Sequence, residues 1–293
     1  MKSGKTESNG VTLAWDSFGE GEPLVLIMGL NTQRIGWPDD FCRELADRGF
    51  RVVRFDNRDV GESTWLTDTR PPPPMKALAR AAAKRPAPAP YDLSDMALDV
   101  VGLLDGLGLE RAHVVGASLG GMVAQHLAIE HPGRLRSLTS VMSGPGSVRH
   151  MVPERRALMA LMGPAPKTRE ENMDRTESIF RVIGGDLPLD WAAIREGAGL
   201  GWDRGFNRHG FLNQWAAMCA SGSRLHALKR VRTPSLVLHG TADPLCRPLA
   251  GRATAAALPD CHHVEIDGMG HALPRAAWPQ LLDAIHERCA TAR

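Results

Sequence analysis

One pentapeptide of the 293-residue chain, Gly116-Ala117-Ser118-Leu119-Gly120, has the G-x-S-x-G spacing of a serine carried on a tight strand-to-helix turn. The positions two before and two after such a serine must be small, because strand and helix approach closely there. Gly121 adds a third small residue. A serine hydroxyl is a poor nucleophile until a base removes its proton, so a histidine oriented by a carboxylate is required. The segment Gly240-Thr241-Ala242-Asp243-Pro244 follows one apolar run, and Asp267-Gly268-Met269-Gly270-His271 follows the next. The order serine, acid, histidine fits Ser118 as nucleophile, Asp243 as orienting acid and His271 as general base. Asp267 is the competing acid, but it shares the short loop of His271, and Asp243 is preferred. Attack on a carbonyl also needs donors for the oxyanion. The backbone N–H of Leu119, next to the nucleophile, is one candidate. That of Leu30, in Met28-Gly29-Leu30-Asn31, is the other.

These residues need a scaffold that presents them at one edge. Short β-branched runs at 11–18, 24–28, 51–55, 112–116, 135–142, 235–239 and 263–266 read as strands. Helical periodicity is expected at 39–48, 94–108 (with Ser94 as N-cap), 119–131 and 277–286. Such alternation predicts an α/β fold with a mostly parallel sheet flanked by helices. Ser118, Asp243 and His271 all follow strands, and the carboxyl ends of strands are where α/β sheets place their sites.

Between 147 and 224 the strand pattern stops and Pro/Gly breaks separate helical, Met- and Arg-rich pieces. The expected organisation is a core of residues 1–146 and 225–293 carrying a helical cap at 147–224. The cap holds Met159, Met162 and Met218 with Trp191, Trp202, Phe206, Phe211 and Trp215. Trp191, Trp202, Phe206, Trp215 and Met218 are the substrate-binding candidates, since aromatic and thioether side chains suit an apolar ligand. The Pro/Ala-rich basic stretch 70–90 reads as a solvated excursion with a short helix, the competing reading being a flap near the active-site mouth that contacts a substrate or carrier.

Composition excludes some classes. A net charge of +2 gives no general case for nucleic acid, and no run approaches the roughly 18 apolar residues of a membrane span. The N-terminal MKSGKTESNG has no apolar run of a secretory signal, and the five cysteines form no CxxC pair or disulfide framework. A reduced, cytoplasmic protein is expected. No His/Asp/Glu cluster has ligand spacing, so neither metal nor cofactor is expected.

The chain resembles the α/β-hydrolase superfamily, and within it the aclacinomycin methylesterase group and related actinobacterial esterases. The likeness is carried by Met28-Gly29 with Asn31, Gly36-Trp37-Pro38-Asp39, Phe55-Asp56-Asn57-Arg58-Asp59-Val60-Gly61-Glu62-Ser63-Thr64, Ala112-His113-Val114-Val115-Gly116 and Gly268-Met269-Gly270-His271-Ala272-Leu273-Pro274. The resemblance supports the triad roles of Ser118, Asp243 and His271 and the oxyanion roles of Leu30 and Leu119. It implies an esterase acting on a small or mid-sized, largely apolar ester, including a methyl ester of a natural product. An amide or lactone hydrolase and a cofactor-free perhydrolase share the same triad. A small-molecule-binding protein on a hydrolase core is the alternative of another class.

Overall fold

A computed structural model of the chain describes residues 1–85 and 87–292. Its strands are β1 (Lys2–Ser8), β2 (Val11–Phe18), β3 (Glu22–Ile27), β4 (Phe50–Phe55), β5 (Ala112–Ala117), β6 (Leu135–Val141), β7 (Ser235–Gly240) and β8 (Cys261–Ile266). They form one sheet in the order β1-β2-β4-β3-β5-β6-β7-β8. The pairings of β2 with β1 and with β4 are antiparallel, and all others are parallel.

Helices α1 (Asp39–Asp47), α2 (Pro74–Ala82), α3 (Leu93–Gly106) and α4 (Leu119–Glu130) precede β6. Between β6 and β7 come α5 (Arg155–Leu161), α6 (Arg169–Ile183), α7 (Trp191–Arg204), α8 (Arg208–Ala220) and the short α9 (Leu225–Leu228). The fold closes with α10 (Pro248–Ala257) and α11 (Trp278–Ala290).

Strand periodicity places the cores. Along β3, Val25 and Ile27 point to a face that α3 and α4 cover with Met96, Val100, Leu104, Met122 and Leu127. Leu24 and Leu26 point to the other, covered by Phe41 and Leu45 of α1 and by Leu281, Leu282 and Ile285 of α11. Both faces are dry, as parallel strands require.

The sequence reading is altered in three places. Strand β1 was not expected, because Lys2–Ser8 is polar and largely exposed. Its cause is the Asn9-Gly10 turn, whose φ values of 46° and 76° are those of a two-residue hairpin. Asp92, not Ser94, is the N-cap of α3. Its side chain accepts from the N–H groups of Ser94 and Asp95, and Asp95 answers as a capping box. Helix α10, which Pro248 opens, had no counterpart in the expected elements. Among the described residues no helix is long and apolar enough to cross a membrane.

Candidate active site

Strand β5 delivers Ser118 into a turn with φ 55° and ψ −119°, a strained conformation for a residue with a side chain. The turn exists because its neighbours lack side chains. A Cβ on Gly116 would lie 2.2 Å from the Gly120 carbonyl oxygen, and one on Gly120 would lie 2.1 Å from that of Ile27. The Ser118 N–H donates to the Val141 carbonyl (2.9 Å), and the Ser143 hydroxyl donates to the Ser118 carbonyl (2.6 Å). The backbone of the nucleophile candidate is therefore fixed by the end of β6 and the residues just beyond it.

His271 Nε2 lies 3.0 Å from Ser118 Oγ, and His271 Nδ1 lies 2.7 Å from Asp243 Oδ2. Because a carboxylate only accepts, Nδ1 carries the proton and Nε2 is left to accept from the serine hydroxyl. Asp243 is 2 % exposed, and its other oxygen accepts from the N–H groups of Leu245 (2.8 Å) and Cys246 (2.9 Å). Behind it, His239 Nε2 donates to the Cys246 carbonyl, and burial holds the pKa of His239 below the usual histidine range. That histidine ties the acid's loop back to the end of β7. Asp267 is exposed and accepts instead from the Thr241 hydroxyl (3.0 Å). It is not in the line to Ser118.

Leu30 and Leu119 both border the cavity into which Ser118 and His271 open. The Leu30 loop is positioned by long-range contacts that the sequence did not announce. The Asn57 amide donates to the Met28 carbonyl (3.0 Å). Asn31, with φ 52°, gives its N–H to Gln214 Oε1 of α8 (2.7 Å), and Gln214 Nε2 donates to the Arg58 carbonyl (2.9 Å). The His271 loop is gripped in the same way. The His271 N–H donates to the Ile183 carbonyl (2.6 Å), Gly270 N–H to Gly184 (3.2 Å), and Asp186 N–H to the Gly268 carbonyl (2.7 Å).

The cavity is about 1920 Å³ and runs between the sheet's loops and helices α2 and α5–α8. Of the substrate-binding candidates, Phe206, Trp215 and Met218 line it. Trp191 and Trp202 do not, which corrects the expectation for both. Trp191 lies under the Arg181 guanidinium, 4.4 Å from the ring centroid, and Trp202 stacks on Phe206 at 4.8 Å. Met162 and Phe211 are on the wall, while Met159 is 61 % exposed.

The stretch 70–90 also departs from its solvated reading. Leu78 and Ala81 of α2 form part of the wall, and the Trp215 indole N–H donates to the Pro74 carbonyl (3.0 Å). The period that would have shown this, Ala77-Leu78-Ala81, is masked in sequence by alanine's indifference to burial. Pro86 lies outside the described residues.

Residues 22–274 match the family model described as alpha/beta hydrolase fold. The chain belongs to that family. It is similar to the rhodomycin D methylesterase of Streptomyces peucetius, at 31 % identity with 96 % of each chain covered. The rhodomycin D methylesterase of Streptomyces sp. strain C5 is 32 % identical over the same shares. Among solved structures, a meta-cleavage product hydrolase from Pseudomonas fluorescens superposes with a TM-score of 0.77 at 16 % identity, covering 99 % of this chain and 98 % of that one. A thermophilic esterase from Thermogutta terrifontis gives 0.71 at 24 % identity, covering 100 % and 99 %. The α/β-hydrolase described here is an enzyme of the serine-hydrolase type. Among its described residues, no group of three or more His, Cys, Asp or Glu side chains could hold a metal ion.

Proposed function

We propose that this α/β-hydrolase is a carboxylic-ester hydrolase in which Ser118 is the nucleophile, His271 the general base and Asp243 its orienting partner. The supporting observation is the continuous line from Asp243 through His271 to Ser118, at 2.7 and 3.0 Å, ending at a large, mostly apolar cavity. Ser118 Oγ attacks the ester carbonyl while His271 Nε2 takes its proton. The resulting oxyanion is held by the N–H groups of Leu30 and Leu119. Collapse expels the alcohol, which receives the proton from His271, and leaves Ser118 acylated. Water, deprotonated by the same histidine, attacks the acyl-enzyme and releases the acid.

The insertion 147–224 acts in this reading as a cap on a core of 1–146 and 225–293. Its Phe206, Trp215 and Met218, with α2, shape a pocket for a small or mid-sized, largely apolar ester. The names of the two methylesterases support a methyl ester within that class. The test is a panel of aryl and polycyclic methyl esters, with matched amides, lactones and a peracid-forming assay, run on wild type and Ser118→Ala. Ester turnover that vanishes in Ser118→Ala supports the proposal. Turnover confined to amides or lactones, or persisting in Ser118→Ala, overturns it.

A further inference from the structure

Helix α6 divides its residues between two surroundings. Asn172, Arg175, Thr176, Ile179, Phe180 and Ile183 recur at the spacing of one helical face, and all six line the cavity. The helix's acids lie elsewhere. Glu170, Asp174 and Glu177 bind Arg195 of α7 at 2.5–2.9 Å, and Glu171 accepts from the Lys167 N–H at 2.6 Å. Arg175 is thus a guanidinium on the cavity face of a helix whose carboxylates have other partners.

Buried arginines elsewhere in the molecule are provided for. Arg58 holds Asp99 through two contacts of 2.6 Å, and Arg34 and Arg54 both reach Asp16. Arg224, which lacks an acid, donates to Gln125 Oε1 and to the carbonyls of Gly144 and Gly222. Arg175 has one contact, from Nη2 to the Leu161 carbonyl at the end of α5 (2.8 Å), and no carboxylate among the described residues lies within ion-pair distance. Burial without a compensating acid holds its pKa below the usual arginine range. A guanidinium carries five N–H donors, and half-burying one in an apolar wall is unfavourable unless an acceptor meets it.

We propose that Arg175 is a substrate-recognition residue that receives an anionic oxygen group, a carboxylate or an ionised acidic hydroxyl, on the otherwise apolar ester. This rests on the esterase reading and narrows it from an apolar ester to an apolar ester with one acidic end. A fork of N–H donors matches a carboxylate bidentately, and a cavity that is largely apolar strengthens the pair by limiting water.

The alternative role is structural, since an arginine can close the C-terminus of α5 through the Leu161 carbonyl. Two series of p-nitrophenyl esters separate the roles: monoesters of dicarboxylic acids of increasing length, and n-alkanoates of matched length. Wild type is expected to favour the acid series at one chain length. Arg175→Gln should lower kcat/KM for that ester about tenfold to a hundredfold, through KM, and leave its alkanoate partner within about twofold. Arg175→Lys should restore part of the preference, and the melting temperature should change little. Calorimetric binding of the same esters to Ser118→Ala, with and without Arg175→Gln, reads the subsite apart from the chemistry. An absence of acid preference in wild type at every length overturns the inference, as does an equal loss on both series in Arg175→Gln. Those results leave the esterase reading intact, which instead falls if Ser118→Ala still turns the esters over.

Discussion

The loops at the carboxyl end of the sheet and the helical insertion facing them border one cavity, but they are held by opposite means. In the loops the proposed nucleophile and acid are fixed by their immediate neighbours, while the His271 loop is also tied to Ile183, Gly184 and Asp186 of the insertion. Ser118 is set by the glycines two residues away, and Asp243 by the N–H groups of Leu245 and Cys246. The insertion is held by a few polar reaches from far along the chain. Arg204 binds Asp56 (2.9 Å) and Glu62 (2.8 Å), Asn213 donates to Asp59 (2.9 Å), and Gln214 spans Asn31 and Arg58. The difference separates what must stay constant from what can vary. Local sterics make the reactive line robust, whereas wall residues between a few anchors can change without disturbing it.

The comparison breaks most decisively at the nucleophile. Ser118→Ala is expected to eliminate acyl-enzyme formation, leaving at most about 10³- to 10⁴-fold acceleration over water from the remaining site. Its stability should change little, because the residue at φ 55° is strained in either form and no core packing is lost. Intact-mass detection of the acyl-enzyme, with a denaturation curve, measures both. The two acids give the next largest contrast. Asp243→Asn should lower kcat by roughly 10⁴-fold by disturbing the imidazole tautomer, while Asp267→Asn should stay within a few-fold. A reversed ranking would transfer the orienting role to Asp267, against its exposure and its bond to Thr241.

Legibility follows the same division. Ser118, Asp243 and His271 could be picked from sequence because each sits in a short segment whose glycines and preceding strand are diagnostic. The sheet was readable wherever strands are buried on both faces, as β3, β5 and β7 are. It was not readable at β1, where pairing comes from the Asn9-Gly10 turn rather than from an apolar pattern. The insertion's aromatics could be named but not aimed. Trp191 and Trp215 look alike in composition, yet one lies beneath Arg181 and the other on the cavity wall, because the facing helix decides. Gln214 carried no local signal at all. A glutamine within a helix becomes informative only when Asn31 and Arg58 are seen across from it.

Gln214 sharpens the comparison, being an insertion residue that touches a loop of the reactive site. It is fully buried, and its oxygen fixes the N–H adjacent to that of Leu30, the proposed oxyanion donor. Gln214→Met preserves length but removes both hydrogen bonds, leaving the Asn31 N–H and the Arg58 carbonyl unsatisfied. The expected outcome is a fall in kcat of about tenfold to a hundredfold with a smaller change in KM, and weaker inhibition by a boronic acid that mimics the tetrahedral intermediate. Gln214→Glu keeps the acceptor and should recover part of kcat. Equal losses in kcat and in stability for both variants would reduce Gln214 to packing.

The smallest expected effect is at Trp191, and it is measured against Trp215. Trp215 is 5 % exposed, stacks on Phe211 with centroids 5.9 Å apart, and joins α8 to α2 through its indole N–H. Trp215→Ala should therefore cost about 3–5 kcal/mol of stability and raise KM for bulky esters, as a wall and a packing element are lost together. Trp191 begins α7 outside the cavity wall, and its ring meets the exposed side chain of Arg181. An exposed cation–π contact is worth about 0.5–1 kcal/mol, so Trp191→Ala should shift stability by no more than that and kcat/KM by less than about twofold for every ester tested. A matched pair of thermal melts and an ester-length series measure the contrast. If Trp191→Ala instead changes the ranking of substrates, Trp191 reaches the ligand through a movement of the start of α7 during the catalytic cycle. The insertion would then adjust to the substrate while the loops beneath it stay fixed.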